Sequence, residues 1–573
     1  MGSVLLSLLA CSATPAAETS VQPALRAIEN PTMVIHTPEH GSFTGEKDQA
    51  SVTGTVTKGS SPLTTLNING QTVALQAGGG DFDAKIPLNP GVNVIGSRLD
   101  AGDGGRAVDG RAVYAGPVWD AGEHLHNAMK LQLGPDVLDD DKPDLDDLAA
   151  LAETILSDPS METAFVGMVL PADYYSLTVT DASLGPADVD IVAADGVLSL
   201  TLTISDVWVA FDINGVGWYD WLSTTGTASA DAEISLDLKL SADDGIVTAT
   251  PQNVDVTLTN FAVTVDWFPD ALEDDLAGWT QSGVEDAVAE QVSTMVGDLV
   301  GQYLSSFSVA ADFAGMTLNI ALNSLRVATD GLRLSMDAWI DGALVIDMPE
   351  GAGSLRTDGD GPSFPLDTTQ PFAVAIDDDF VHQLLFNVWA AGTTGGIQFG
   401  AVELQALAGE IPAPIGPVST VDVDVNLPVT TGPATYDDQQ LDVAIGELRM
   451  KVTREDGEVI DASVNLRTGA TVEMSDDGEL KFVLDARPAK MDLDVGMEQS
   501  PTGLDPGDVA ALVRLTVPPL LNTLATFVPG IPVPAIPLDS FSDAFAGLEL
   551  AVGDPTIHVD DRWLVLEGVL TPR

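Results

Sequence analysis

Leu276-Ala277-Gly278-Trp279-Thr280-Gln281-Ser282-Gly283-Val284-Glu285-Asp286-Ala287-Val288 opens a stretch that runs on to Phe307. Within it Val284, Val288, Val292, Val296, Leu299, Tyr303 and Phe307 recur at steps of three and four. That spacing puts them on one stripe of a 3.6-residue helix. Glu285, Asp286, Glu290, Asp298 and Gln302 fall on the other face. A long amphipathic helix of this kind needs an apolar partner, and the chain on both sides of it reads as β-strand.

Alternation of apolar and polar residues supplies the partner. Leu198, Leu200, Leu202 and Ile204 share one face, as do Ile234, Leu236, Leu238 and Leu240, and Val254, Val256 and Leu258. The pattern resumes past the helix in Leu318, Ile320 and Leu322, in Leu332 to Ile340, in Val421 to Val425, in Val464 and Leu466, and in Met491 to Val495. Each is expected to be a half-buried antiparallel strand. Two further helices are expected: 377–391, with Phe380, Leu384, Leu385 and Val388 on one stripe, and 505–527, with Val509, Leu512, Val513, Leu520, Leu521 and Leu524. Pro518-Pro519 should bend the latter, since each proline removes a helical hydrogen bond. A shorter helix is expected around Leu145, Leu148, Ala152 and Ile155.

Composition narrows the partners. The chain has 573 residues, 45% of them hydrophobic, enough for large cores. Its 86 acidic residues against 23 basic give a formal net charge of -63. Such a surface repels nucleic acid, and none is expected as a partner. A mean hydropathy of +0.18 argues for a folded chain in an acidic coat rather than disorder. The coat suits saline surroundings, where screening acts within roughly 3 Å at about 1 M salt.

The single cysteine closes the run Val4-Leu5-Leu6-Ser7-Leu8-Leu9-Ala10-Cys11, which resembles a bacterial lipobox. The resemblance implies a signal peptide over 1–11, lipidation of Cys11, and a membrane partner reached through that anchor. The 12–30 segment then reads as a tether. Ser12 beside the cysteine points to an outer-membrane lipoprotein in the envelope of a Gram-negative-type bacterium. From 31 to 116, short strands such as Ser51-Val52-Thr53-Gly54-Thr55-Val56 and Leu66-Asn67-Ile68-Asn69-Gly70 alternate with turns. They resemble bacterial immunoglobulin-like (glucodextranase B-like) modules.

From 117 onward the order of elements resembles the bactericidal/permeability-increasing protein and lipid-transfer (TULIP) superfamily. The echoes are Pro371-Phe372-Ala373-Val374-Ala375-Ile376-Asp377 running into its helix, Pro529-Gly530-Ile531-Pro532-Val533-Pro534 after the last helix, and His558-Val559-Asp560-Asp561-Arg562-Trp563. The resemblance implies a mostly β (α+β) fold. Two tandem elongated barrels, 117–312 and 313–573, are each a highly curved antiparallel sheet on long helices, joined by a central sheet. It also implies a tunnel for lipid or phospholipid acyl chains in each barrel, and hence a lipid-binding or lipid-transferring lipoprotein. The candidates for the tunnel walls are Val284, Val288, Val292, Val296, Leu299 and Tyr303 in the first half. In the second they are Phe380, Leu384, Val388, Leu512, Leu520 and Leu524. The cationic tip and the disulfide of the host-defence members are missing, so endotoxin binding is not carried over.

Two other readings stand beside it. The same stripes would equally complete packed cores, and the β modules would serve a surface adhesion or structural protein that binds glycan or protein. No catalytic motif emerges: His382 lies near an Asp run but has no nucleophile beside it in sequence. No cofactor is expected, nor a metal: His124 and His126 have no third ligand nearby, and the Asp-rich 136–147 stretch lacks the glycine and glutamate of a calcium loop. Oligomeric state is not legible.

Overall fold

The computed structural model describes residues 30–573 except 160, 172–174, 218–219, 268–272, 343, 358–365, 367–369, 409–410, 412, 500–503, 527 and 543–544. Cys11 and the tether lie outside the described residues.

The protein is mostly β. Residues 30–116 form two facing sheets. One contains Thr32–Thr37, Gln49–Thr57 and Gly79–Pro87, the other Ser42–Phe43, Arg106–Ala115, Gly91–Ala101, Leu63–Ile68 and Gln71–Val73. Val52, Leu66, Ile68, Ile95 and Leu99 point inward from both sheets and are fully buried. The alternation read from the sequence is what fills this core.

The first large sheet is built on three strands, Val197–Gly215, Ser223–Asp243 and Ile246–Val265, with Tyr175–Ser183, Val169–Pro171 and Ala187–Ala194 along its far side. The ladders among the three long strands slip at three points, and each slip holds a polar residue with positive φ: Asp206 (52°), Asn260 (53°) and Asn253 (53°). These are β-bulges, which bend and twist a strand. Asp231 ties two of them, accepting from the Asp206 N–H at 3.0 Å and from Asn260 Nδ2 at 2.7 Å. Asp237 accepts from Asn253 Nδ2 at 2.8 Å. Short polar side chains that tolerate the left-handed region therefore set where the sheet curls. Ile246–Val265 is the edge strand, and Val254 next to its bulge is 36% exposed, not inward as the alternation suggested.

The long helix, Glu273–Ser305, lies against this curled sheet. Val284, Val288, Val292, Val296, Leu299, Tyr303 and Phe307 are all buried, whereas Asp286, Glu290, Asp298 and Gln302 are exposed. Gly297 and Gly301, one turn apart, bring the helix onto the edge strand. A Cβ on Gly297 would sit 3.0 Å from the Ala249 carbonyl oxygen, and one on Gly301 2.9 Å from that of Val247. Val247 N–H donates to Ser305 Oγ at 2.8 Å, fastening the last turn.

A second, eight-stranded sheet draws on both sides of residue 312. Its order is Val309–Phe313, Met316–Ala328, Gly331–Gly342, Leu125–Leu133, Phe372–Asp377, Trp563–Pro572, Glu549–Asp560 and Ile536–Pro537. Leu125–Leu133 is held on both edges, antiparallel to Gly331–Gly342 and to Phe372–Asp377. The third large sheet belongs to the second half and centres on Leu441–Arg454 and Val459–Met474.

The helices of this half differ from a simple stripe-on-sheet picture. Asp378–Ala390 is buried on every side from Asp379 to Ala390. Phe380, Leu384 and Val388 enter the core shared with the central sheet, while Phe386, Trp389 and Ala390 enter the core of the third sheet. The helix thus bridges two cores, and a one-sided stripe understates it. Pro506–Ala525 runs through Pro518 and Pro519, with Leu512, Leu520 and Leu524 buried. Leu148–Leu156 begins three residues after Leu145, where Asp147 accepts the Ala150 N–H at 2.7 Å as its cap.

Candidate functional site

Among the described residues, two apolar seams lie between helix and sheet. The first is bounded by the long helix through Val284, Val288 and Val292 and by Leu177, Val209 and Phe211 of the curled sheet. Phe165, Met168 and Leu170 close its side. Its unfilled space totals about 640 Å³ out to the mouth, but only about 30 Å³ admits the centre of a water-sized sphere. The walls are therefore nearly in contact. One polar atom intrudes: Thr280 Oγ1, on a fully buried residue, has no hydrogen-bond partner.

The second seam lies in the other half. Leu385 and Leu524 from two helices face Val443, Ile445, Phe482 and Leu484 across about 530 Å³, with about 40 Å³ open to a water-sized centre. Thr431 is at its border.

Of the residues chosen from sequence, Val284, Val288 and Val292 line the first seam, and Leu524 lines the second. Val296, Leu299 and Tyr303 continue the helix stripe into packed core, and burial drives the Tyr303 phenol pKa upward. Phe380, Leu384, Val388, Leu512 and Leu520 are buried in core rather than along either seam. Sequence reasoning missed Phe165, Met168 and Leu170, which stand on a one-turn helix, the turn after it and a three-residue strand, each too short to show a period. It also missed Phe482 and Leu484, whose strand gives no sign of facing a gap rather than a neighbour.

The polar clusters have structural partners. Asp377 caps its helix by accepting the Asp379 N–H at 3.0 Å, and Arg562 Nη2 donates to its other oxygen at 2.8 Å. Burial still pushes the Asp377 pKa up to about 7, with the adjacent Asp378 adding to the rise. His382 is 2% exposed, its Nε2 3.1 Å from Thr431 Oγ1, and burial lowers its pKa so that the neutral ring is favoured. His124 stacks on Trp339 and His126 meets Asp337 at 2.8 Å, so the two rings turn to different partners. Among the described residues, three groups of carboxylates come close enough to share a cation: Asp377, Asp378 and Asp379; Asp140, Asp144 and Asp146; Asp139, Asp141 and Asp190. Arg562 pairs with Asp377 and Asp378 in the first, and Lys142 bonds Asp140 in the second. Among the described residues, no helix is long and apolar enough to cross a membrane.

No family model and no curated protein matches the chain. Solved structures that align with it include a lipopolysaccharide binding protein, 14% identical, covering 78% of this chain and 98% of that one with a TM-score of 0.40. Another is P47 of Clostridium botulinum E1, 10% identical, covering 78% of this chain and 100% of that one with a TM-score of 0.24. Both likenesses are weak.

Proposed function

We propose that this protein binds the acyl chains of lipids between its helices and curled sheets, and that it passes them on from a membrane to which Cys11 anchors it. One observation carries the reading: the first seam is walled by aliphatic and aromatic side chains along a helix whose outer face is acidic. Such a wall rewards hydrocarbon alone. At about 0.8 kcal/mol per methylene, a chain of a dozen methylenes gains on the order of 10 kcal/mol on burial. That gain opposes the cost of parting the helix from the sheet, which the closed seam requires before loading. Lipidation at Cys11 and residence at the outer membrane of a bacterial envelope complete the proposal.

The test is to extract the purified protein and identify co-purified lipid by mass spectrometry. Val288→Glu with Val292→Glu should empty the first seam while the second keeps its load. If the wild-type protein carries no lipid and takes up none from vesicles, the stripe is core and the proposal fails.

A further inference from the structure

The three long strands of the curled sheet have unlike ends. At one end the Asp243–Ile246 turn is held to the central sheet, where the Gly245 N–H donates to the Leu322 carbonyl at 3.0 Å. The long helix finishes there too, with Ser305 Oγ taking the Val247 N–H. At the other end Val197–Gly215 turns back into Ser223–Asp243, and the Gly215 N–H donates to the Leu222 carbonyl at 2.8 Å. Beside that turn Ile246–Val265 runs on towards the start of the helix, its continuation tied by the Asp266 N–H to the Thr225 carbonyl at 3.0 Å.

Large apolar side chains stand in solvent at this second end. Trp221 is 59% exposed and Trp267 58%, with their ring centroids 6.1 Å apart. Val216, in the same turn as Trp221, is 49% exposed. Every other tryptophan among the described residues is buried or half-buried. Rings left in water forgo the gain of burial, and an exposed apolar patch of this kind marks a surface made for contact.

The patch lies at one end of the first seam. Phe211, which lines the seam, pairs with Gly226, and Gly226 pairs with Val265, two residues before Trp267. On the helix the lining begins at Thr280, and just ahead of it Trp279 meets Tyr175 edge-on with centroids 4.9 Å apart. Hydrocarbon walls thus give way to exposed aromatic rings within a few residues.

Chemistry selects the partner. From 205 to 238 and from 251 to 285 the chain has no Lys or Arg, and Asp212, Asp220 and Asp266 are exposed near the rings. An anionic surface is repelled. A tryptophan joins an apolar body to one N–H, the combination that settles at the level of lipid headgroups. A stable protein interface takes about 800 Å² from each partner, well beyond two rings and a valine.

We propose that this end of the first curled sheet docks onto an electrically neutral phospholipid surface, with Trp221 and Trp267 seated among the headgroups. The docking rests on the lipid-binding reading for its purpose: lipid reaches the first seam from the end that touches the bilayer.

The experiment places an environment-sensitive dye on Val216→Cys in the full chain carrying Cys11→Ser, so that the contact is read where it occurs. The reference is the same dye on Ile246→Cys, a 66% exposed position at the opposite end of the strands. Phosphatidylcholine vesicles containing a nitroxide lipid should quench the dye at 216 and leave the dye at 246 unchanged. Trp221→Ser with Trp267→Ser should raise the lipid concentration needed about tenfold or more, with the unfolding midpoint kept because both rings are exposed. Replacing about a third of the lipid with phosphatidylglycerol should also weaken docking. No quenching at 216, equal quenching at both positions, a response that the two substitutions leave unchanged, or tighter docking on the anionic vesicles overturns the proposal. Lipid supplied in detergent and counted by mass spectrometry judges the seam apart from the surface. The double variant should load as the wild type does, and a protein that docks at 216 yet loads nothing would sink the seam and leave the docking surface standing.

Discussion

Glu447 reaches from the third sheet into the sandwich, where its carboxylate takes the backbone N–H of Ala112 at 2.5 Å. The bulge that aims it is legible in the backbone: the ladder slips between Ile445 and Leu448, and Glu447 has a φ of 52°. The same carboxylate meets His40 Nδ1 at 2.9 Å and accepts from Ser463 Oγ at 3.1 Å while only 2% exposed. Gly446 beside it has no room for a side chain, since a Cβ would come within 2.7 Å of Val92. The sandwich is thus docked rather than strung on a linker.

Glu447→Ala should cost about 2–3 kcal/mol of stability, because it strands the Ala112 N–H and removes a charged acceptor. Urea unfolding gives the free energy, and hydrogen exchange at the Ala112 amide shows where it is lost. Wild-type protection at that amide in the variant would refute the role.

Thr280→Val should stabilise the protein by about 1 kcal/mol. The two side chains have nearly the same shape, and the buried hydroxyl with no partner is replaced by a methyl group. Thermal unfolding decides it. A loss of stability would mean that Oγ1 is satisfied by a water molecule.

At Gly301 two effects oppose each other. Alanine gains about 1 kcal/mol of helix propensity over glycine. Its Cβ, however, would sit 2.9 Å from a backbone carbonyl that cannot swing aside. Gly301→Ala should therefore destabilise, and Gly301→Val more so, as the helix is pushed off the edge strand. Gly278→Ala on the same helix meets nothing within 4 Å and should show the propensity gain alone.

Asp377 supplies a pH dependence. Its folded pKa of about 7 lies above the usual carboxylate value, so the folded state holds the proton more tightly than the unfolded chain. Its stabilising contribution is full below about pH 4 and is lost as pH rises towards 7, by on the order of 2–4 kcal/mol. Unfolding free energies between pH 4 and 8 should fall less steeply for Asp377→Asn than for wild type. Parallel curves would show that burial does not trap the proton there.

Charge repulsion at a net -63 should make stability depend on salt. Raising potassium chloride from about 0.1 to about 1 M shortens the screening length from about 10 to about 3 Å and should raise the unfolding midpoint. A flat response would mean that the coat is already neutralised by bound cations.

The strands and helices were legible because burial imposes periods. Leu198 to Ile204 and Val284 to Phe307 lie buried where the alternation and the stripe put them. What the sequence hid was set by contacts between distant segments. Glu447 looked like one acidic residue among 86, and only its fold neighbours His40 and Ala112 explain its burial. The seams were partly legible for the same reason. Val288 and Leu299 carry the same signal, yet Val288 lines the first seam and Leu299 does not, and periodicity cannot tell a wall from a core.

The strand Leu125–Leu133 has a consequence for how the chain is made. Its two flanking partners, Gly331–Gly342 and Phe372–Asp377, follow it by some two hundred residues or more, and the latter leans on Trp563–Pro572, further downstream again. Loop closure of that length is slow, and an unpaired strand edge invites wrong pairing meanwhile. A growing chain must therefore keep the strand shielded until Phe372–Asp377 emerges, and that strand in turn waits for Trp563–Pro572, so neither half can be cut away and expressed alone without baring an edge of the central sheet.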